Sequence, residues 1–285
     1  MKMLISGSSG FVASQLIKLN PKILFQKFNR TSLNNDFDVF GVIHCAGLAH
    51  HSHNKNLYFE YFKSNYDLTK VIFDNFVNSS SKIFIFLSTS TVYEGLSSKN
   101  KKITENMIGD KLSVYAKSKL SAEKYLMSKK NDKRVYIIRT SIITGIKSNQ
   151  KGNMSLLLNL IKKNIFIPIV SNSSLKNLTD IRNLDYVIKN FVKNYNNIPS
   201  GIYNICDTKA LNLKSIFLKL SKANNLNVNF IPFPSFIYKG FFYFPFISKI
   251  PFISKIKNLL FNECLMDTSK VQKFIKKKLP YNSFE

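Results

Sequence analysis

Cysteine is scarce in this chain, and no hydrophobic run is long enough to cross a membrane. The three cysteines, Cys45, Cys206 and Cys264, are too few and too far apart for a disulfide framework or a paired metal site. A reducing, cytoplasmic location is therefore expected. The apolar start at residues 1–5 is shorter than the apolar region of a signal peptide, and no run reaches about 18 apolar residues. Neither a disulfide-rich secreted protein nor a membrane-spanning protein is expected.

Acidic residues are also few, because 16 Asp and Glu stand against 42 Lys and Arg in a chain of 285 residues. The formal net charge of +26 is typical of proteins that bind nucleic acid, anionic membranes or anionic substrates. The basic residues are spread along the chain and form no groove-binding stripe, so we expect no nucleic-acid partner. A compositional bias explains most of the charge, and a small anionic ligand is compatible with it.

The amino-terminal residues have the pattern of a strand, a glycine turn and a helix. An apolar run at residues 2–6 leads into Gly7-Ser8-Ser9-Gly10 and then into helical spacing at residues 14–19. Gly7 permits a tight turn, Gly10 lets the backbone approach a pyrophosphate, and Ala13 is small enough for close packing of the helix on the strand. The phosphates would bind the N–H groups at the start of the helix.

A second strand is predicted at residues 23–28, and Arg30 follows it. An acidic residue here would bind the ribose 2′-hydroxyl of NAD, but the sequence continues with Arg30, Thr31 and Ser32. A basic residue suits the 2′-phosphate of NADP, so the residues favour NADP(H) over NAD(H). A basic turn in a lysine-rich chain is the alternative interpretation.

Two further strands are each followed by residues suited to a ligand site. Residues 39–45 lead into Ala46-Gly47-Leu48, whose small residues leave room at the carboxyl end of a strand. Residues 82–87 lead into hydroxyl groups at positions 88–91, where doubly wound sheets bind ligands. Three histidines, His50, His51 and His53, lie without carboxylate or cysteine neighbours, so no metal site is expected.

The stretch from Ser113 to Leu126 carries Tyr115 and Lys119 four residues apart on a predicted helix. Side chains at this spacing lie on one face of a helix. A neighbouring ammonium favours the phenolate and is expected to lower the pKa of Tyr115 from about 10. A tyrosine tuned in this way gives or takes a proton at a carbonyl or an alcohol.

Alternation of strand and helix patterns through residue 145 predicts an α/β fold with a Rossmann-type, doubly wound parallel sheet. Only a short segment separates Arg30 from Val39, which leaves no room for a full further strand and helix between them. Near the end, residues 234–261 mix Phe, Ile, Tyr and Pro with lysines. They are interpreted either as a helical flap over a substrate cleft or as an amphipathic segment in peripheral contact with a membrane.

These motifs, in this order, resemble the extended short-chain dehydrogenase/reductase family, in its nucleotide-sugar epimerase/dehydratase branch. Residues 43–50 are most similar to UDP-sugar 4-epimerases and 4-keto-sugar reductases of surface polysaccharide synthesis. The resemblance implies NAD(P)-dependent hydride transfer at C4 of a nucleotide-diphosphate sugar, UDP-linked in this subgroup. It also implies a homodimer through two helices, one carrying Tyr115. The implied domains are a dinucleotide-binding domain at 1–150 plus about 181–206 and a smaller, discontinuous substrate-binding domain at 151–180 plus 207–285.

The resemblance also implies roles for single residues. Tyr115 would be the catalytic acid/base, Lys119 would bind the nicotinamide ribose, and Thr89 would hydrogen-bond the sugar oxygen at C4, with Ser90 as a substrate-binding alternative. Asn153 and Lys176 would contact the sugar nucleotide, although a lysine lacks the bidentate fork of the usual arginine. Besides Arg30 and Lys119, the implied cofactor-binding residues are Gly7, Gly10, Phe11, Val12, Ala46, Gly47, Leu48 and Asn65.

Some positions depart from the branch and leave alternatives open. Glu94 stands where a glycine is usual, and Thr140-Ser141-Ile142 lacks the asparagine of many 4-epimerases, so reduction and epimerisation both remain. A non-catalytic NADP-binding regulator on the same fold is a third interpretation. A membrane-associated sugar-nucleotide dehydratase is disfavoured, because Ser90-Thr91 replaces the usual Asp-Glu pair.

Overall fold

Short runs rich in Ile, Val and Phe form the centre of the molecule. The structure is a computed structural model that describes residues 1–29, 37–49, 57–98, 101–145, 153–169, 175–232, 265–275 and 277–284. Its strands are β1 (Lys2–Ser6), β2 (Leu24–Lys27), β3 (Gly41–His44), β4 (Ile83–Thr89), β5 (Arg134–Thr140), β6 (Ile142–Thr144), β7 (Ile167–Ile169), β8 (Leu178–Asp180), β9 (Gly201–Ile205) and β10 (Phe230–Pro232).

The helices follow the strands in alternation through the first half of the chain. They are α1 (Phe11–Leu19), α2 (Leu57–Phe62), a π-helical segment (Lys63–Asp67), α3 (Leu68–Val77), a 3₁₀ turn (Ser90–Tyr93), α4 (Val114–Lys129), α5 (Asn153–Lys162), α6 (Ile181–Lys193), α7 (Leu213–Ala223) and α8 (Ser269–Ile275). The sequence of residues 58–77 predicts one continuous helix, whereas the structure interrupts it at the π-helical segment. The sequence also predicts a helix at residues 185–195. Helix α6 begins earlier, at Ile181, because the Asp180 side chain caps it.

Six strands form one parallel sheet in the order β2-β1-β3-β4-β5-β9. The apolar segment 83–86 is fully buried because helices cover both faces of the sheet. Helices α1, α6 and α8 pack on one face through residues such as Leu16, Leu184 and Val271. Helices α3 and α4 pack on the other face through Phe73, Leu126 and their neighbours. The predicted α/β, doubly wound fold is confirmed.

Within the described residues, β2 is the outermost strand on its side of the sheet. This position agrees with the expectation that no full further strand lies between Arg30 and Val39. A second apolar cluster joins α5 and α7 to the short strand β7, with Met154 and Leu220 fully buried. The short pairs β6–β8 and β7–β10 lie outside the large sheet. No helix in the described part of the chain is long and apolar enough to cross a membrane. Residues 234–261 and His50, His51 and His53 lie outside the described residues.

The chain order of the strands fixes where a ligand site belongs. After β1 the chain continues to β2, on one side of β1 in the sheet, whereas after β3 it continues to β4, on the opposite side. The loops after β1 and β3 therefore diverge and open a crevice at the carboxyl edge of the sheet.

Candidate active site

The turn after β1 and the turn after β3 meet at Gly7. Its φ of +71° lies in the left-handed region, and a Cβ at this position would lie 2.8 Å from the Cα and the N of Ala46. Only glycine satisfies both conditions, because the second obstacle is backbone that has no room to move. Gly7 therefore lets the two turns that flank the crevice come together.

Helix α1 presents its amino end beside this turn. Gly10 is exposed and extended at the N-cap, where no side chain accepts from the first-turn amides, and its own N–H donates to Gly7 O at 2.8 Å. The first N–H groups of a helix lack intrahelical partners, and Phe11 and Val12 occupy the first two positions of α1. An exposed helix start without a capping side chain suits a phosphate group.

Asn65 hydrogen-bonds the loop that follows β3. It is fully buried in the π-helical segment, and its Oδ1 accepts the Leu48 N–H at 2.7 Å while its Nδ2 donates to Leu48 O at 3.0 Å and to Ser118 Oγ at 3.0 Å. A Cβ on Gly47 would lie 2.8 Å from Asn65 Oδ1 and 3.1 Å from Lys119 Nζ. The loop thus needs a glycine where it crosses Asn65 and Lys119.

A buried hydrogen-bond chain ties β1, β3 and α3 together beneath the crevice. His44 Nδ1 lies 2.5 Å from Ser6 Oγ, and His44 Nε2 lies 2.9 Å from Thr69 Oγ1. Ser6 Oγ also accepts the Ala46 N–H at 3.1 Å. Because each of these side chains is almost fully buried and partnered, the chain fixes the two turns relative to each other.

Tyr115 and Thr89 meet where α4 begins and β4 ends. The Ser113 side chain caps α4, which places Tyr115 in its first turn. The Thr89 side chain lies close enough to the phenol to lower its pKa, and the Tyr61 ring lies 5.7 Å from the Tyr115 ring between centroids. Burial raises the pKa of Tyr115 to about 12, while the Thr89 side chain opposes the rise.

Lys119 is buried one turn further along α4. Its Nζ donates to Leu87 O at 2.9 Å and lies 4.6 Å from the centroid of the Phe86 ring. Burial lowers the pKa of Lys119 to about 8, against the raising effect of Glu123. The predicted lowering of the Tyr115 pKa is wrong: loss of hydration is the largest cause of the rise, Tyr61 and Glu94 add to it, and the Lys119 ammonium is directed to a carbonyl of β4.

A buried ion pair that sequence reasoning missed lies beneath these residues. Glu123 follows Lys119 by one turn of α4 and pairs with Arg139 of β5, with Nη2 2.6 Å from Oε2. Ser88 Oγ also donates to Glu123 Oε1. The available signals were the spacing of four from Lys119 and an arginine after the apolar run at 135–138. Neither signal identifies the partner.

The other predicted site residues lie on separate elements of the chain. Ser90 is half-buried and opens the 3₁₀ turn, and Asn153 begins α5. The Lys176 backbone pairs with Leu211 through hydrogen bonds of 2.8 and 2.9 Å. Arg30 lies outside the described residues. No group of His, Cys, Asp or Glu within the described ranges could hold a metal ion.

A glycine turn and an open helix start lie with a buried lysine and a half-buried tyrosine at the crevice of a doubly wound sheet. That combination defines a dinucleotide-binding protein of the short-chain dehydrogenase/reductase class. The chain belongs to the NAD dependent epimerase/dehydratase family, whose model matches residues 24–206. Its members are NAD-dependent enzymes by the family's name. No curated protein sequence matches the chain.

Solved structures share the whole fold at low sequence identity. UDP-glucuronic acid 4-epimerase from Bacillus cereus in complex with NAD is 18% identical, with a TM-score of 0.74 over 100% of this chain and 95% of that chain. UDP-N-acetylglucosamine 4-epimerase from Bacillus cereus is 16% identical, with a TM-score of 0.72 over 99% and 95%. The human epimerase family protein SDR39U1 with NADPH is 14% identical, with a TM-score of 0.75 over 100% and 96%. These similarities show a common fold.

Proposed function

We propose that the chain transfers a hydride at C4 of a nucleotide-diphosphate sugar, as a 4-keto-sugar reductase or a UDP-sugar 4-epimerase supplying surface polysaccharide precursors. The observation that carries the proposal is the contact between Tyr115 and Thr89 beside the glycine turns at one edge of the sheet. The UDP-sugar 4-epimerases among the structural neighbours support the substrate class.

The residues at the crevice fit a dinucleotide. The first-turn amides of α1 would hold its phosphates, and the loop at Gly47 passes close to Lys119 Nζ, which would bind the nicotinamide ribose. When bound, the dinucleotide supplies or accepts the hydride. Arg30 favours NADP(H), and comparison of the KM values for NADPH and NADH checks this preference.

Tyr115 would transfer the proton, and Thr89 would position the oxygen that receives it. A phenol with a pKa of about 12 is almost fully protonated near neutrality, so it is ready to donate a proton to an alkoxide that develops at C4. Thr89 would hydrogen-bond the same oxygen and keep it near the phenol. In the oxidation of a C4 hydroxyl the same residue would act in the opposite sense, as the base that accepts the proton.

Incubation with candidate sugars distinguishes the two reactions. The enzyme is mixed with UDP-N-acetylglucosamine, UDP-glucose or a UDP-4-keto-6-deoxy sugar, with and without NADPH, and the products are read by mass spectrometry. A reductase consumes NADPH in proportion to product, whereas an epimerase forms an isomer without net consumption. If no sugar is converted under any of these conditions, the proposal is wrong.

The homodimer belongs to the same proposal. Tyr58 and Phe59 on α2 are exposed to 60% and 63%, and Val71 on α3 to 55%. Exposed apolar side chains on helices next to α4 support pairing through this face. Light scattering after size exclusion measures the mass. A Phe59→Lys variant is expected to shift a dimer towards the monomer.

A further inference from the structure

Helix α4 contacts three consecutive residues of β4 at successive turns. Tyr115 meets the Thr89 side chain, Lys119 donates to Leu87 O at 2.9 Å, and Glu123 accepts from Ser88 Oγ. Residues four apart lie on one helix face, so the three contacts form a ladder between helix and strand. The position of the Tyr115 phenol therefore depends on how α4 sits against β4.

The third of these contacts, at Glu123, is further held by Arg139. Arg139 Nε lies 3.1 and 3.2 Å from the two carboxylate oxygens of Glu123, and Arg139 Nη2 donates to Oε2 at 2.6 Å. Both side chains are 1% exposed. A planar guanidinium that grips a carboxylate through two nitrogens restricts orientation as well as distance.

The same guanidinium also fixes the segment that follows β4. Arg139 Nη1 donates to the Tyr93 hydroxyl at 3.0 Å and to Glu105 O at 2.9 Å. The Tyr93 hydroxyl donates to Asn204 Oδ1 at 2.6 Å, at the end of β9. One buried arginine therefore joins the catalytic helix, the turn after Thr89 and the ends of two strands.

We propose that Glu123 and Arg139 are positioning residues for the reaction, which hold α4 in the register that brings Tyr115 to Thr89. The proposal rests on the proposed function, because it takes Tyr115 and Lys119 as the reacting and cofactor-binding groups. Glu123 and Arg139 touch neither substrate nor cofactor in this scheme. They act through the backbone of α4 and through the electrostatic environment of Lys119.

The charge of Glu123 also affects a property that can be measured, the pKa of Lys119. Lys119 faces the neutral Cys45 thiol that follows β3 and the Glu123 carboxylate from its own helix, and the carboxylate raises its pKa against the lowering by burial. Removal of the carboxylate lets the pKa of Lys119 fall further. Lys119 then loses its proton at lower pH, and any step that needs the ammonium is lost at lower pH too.

Two variants separate positioning from stability. In Glu123→Met/Arg139→Met both charges are replaced by apolar side chains, a change that often leaves stability equal or higher. We expect it to fold with a Tm that reflects the loss of the bonds from Arg139 to Tyr93 and Glu105 O. Its kcat is expected to be about 100-fold lower, because a shift of about 1 Å at the reacting groups costs that much. In Glu123→Gln the pH midpoint of NADPH affinity is expected to fall by about one unit.

Asp185→Asn is the matched control. It removes a buried carboxylate that pairs with Lys189 at 2.7 Å on α6, away from α4. It is expected to lower Tm while kcat and the pH midpoint stay at wild-type values. A purely structural role for Glu123 predicts the same behaviour for Glu123→Gln.

The outcomes decide the proposal separately from the proposed function. A folded Glu123→Met/Arg139→Met variant with wild-type kcat overturns the proposal, as does a Glu123→Gln variant with an unchanged pH midpoint. If the double variant does not fold, the Glu123→Gln midpoint alone decides. A wild-type protein that converts no nucleotide sugar refutes the proposed function, but the NADPH-binding midpoint of Glu123→Gln still tests the effect of Glu123 on Lys119.

Discussion

Lys119 Nζ donates to the carbonyl oxygen of Leu87 at 2.9 Å, in a site where the side chain is 5% exposed. A buried ammonium loses most of its hydration, and one carbonyl with the face of Phe86 replaces only part of it. The cost appears as a pKa lowered from 10.5 to about 8. Lys119 is therefore held in place at the expense of folding stability, as expected for a residue kept for its chemistry.

The first prediction concerns the stability cost of this lysine. Below about pH 8 the folded and unfolded chains both carry the charge, and the folded state bears the full penalty. Between pH 8 and 10.5 the unfolded state binds more protons, so the free energy of unfolding rises with pH. Lys119→Met should raise that free energy at pH 7 by up to about 3 kcal/mol and abolish this rise. Urea unfolding at pH 7 and pH 9.5 measures both effects.

Lys117→Met is the control, because Lys117 is exposed on the same helix. It should change stability by less than about 0.5 kcal/mol. A Lys119→Met protein that is less stable than the wild type at pH 7 would contradict the prediction. Its activity should be lost in either case, since the ammonium beside Gly47 is gone.

The second prediction concerns the Thr89 hydroxyl. It lies close to the Tyr115 phenol and favours the phenolate, so Thr89→Val should raise the pKa of Tyr115 above about 12. The phenolate fraction at any lower pH then falls, and the oxidation of a C4 hydroxyl, which uses the phenolate as its base, should slow. A hydrogen bond to a charged group corresponds to a loss of about 10–100-fold in the oxidation rate. The initial rate of oxidation at pH 8 measures the loss.

Thr89→Ser keeps the hydroxyl and should retain most of the oxidation rate. Both variants still fold, since the Thr91 N–H that Thr89 Oγ1 accepts at 3.2 Å lies in a surface-accessible turn. A loss for Thr89→Ser as large as that for Thr89→Val would show that the hydroxyl alone does not account for the effect, and a loss for Thr89→Ser without one for Thr89→Val would assign the effect to the methyl group.

The parts of the site that follow from local sequence were predictable. Gly7 precedes a helix and follows an apolar strand, and this order alone indicates its tight turn. The spacing of Tyr115 and Lys119 indicates a shared helix face in the same way. Buried strands such as 83–86 are evident because parallel sheets covered on both faces give continuous apolar runs.

The parts that depend on tertiary contacts were not predictable. The partner of Glu123 is Arg139, 16 residues away on a different element, and no local pattern selects it. The pKa of Tyr115 was predicted in the wrong direction because burial is decided by Tyr61 and its neighbours, which pack from another helix. The π-helical segment around Asn65 was not predicted either, because such segments are rare and occur mostly as single turns inside α-helices.

The third prediction concerns the crowded glycine of the second turn. A methyl group on Gly47 would lie 2.8 Å from Asn65 Oδ1, so the hydrogen bond from Leu48 N to that oxygen must lengthen. Gly47→Ala should lower the free energy of unfolding by about 1–3 kcal/mol and weaken NADPH binding. Gly201→Ala is the control, because its nearest contact, with Lys270 Nζ at 3.4 Å, is of ordinary length. Thermal unfolding with and without NADPH separates the two effects, and an unchanged NADPH affinity would contradict the prediction.

The fourth prediction concerns the Tyr115 phenol itself. Tyr115→Phe removes the proton donor but keeps the ring that packs against Tyr61, so the Tm and the NADPH affinity should stay near wild-type values. General acid/base catalysis contributes about 10²–10⁴-fold, and kcat should fall by that factor. Tyr125→Phe is the matched control, since that phenol lies on the same helix and donates to Asp74 Oδ1 at 2.6 Å. It should keep wild-type kcat. Near-normal turnover by Tyr115→Phe would falsify the assignment of Tyr115 as the acid. The proton for the C4 oxygen, which Thr89 would hydrogen-bond, would then have to come from another group at the carboxyl edge of the sheet.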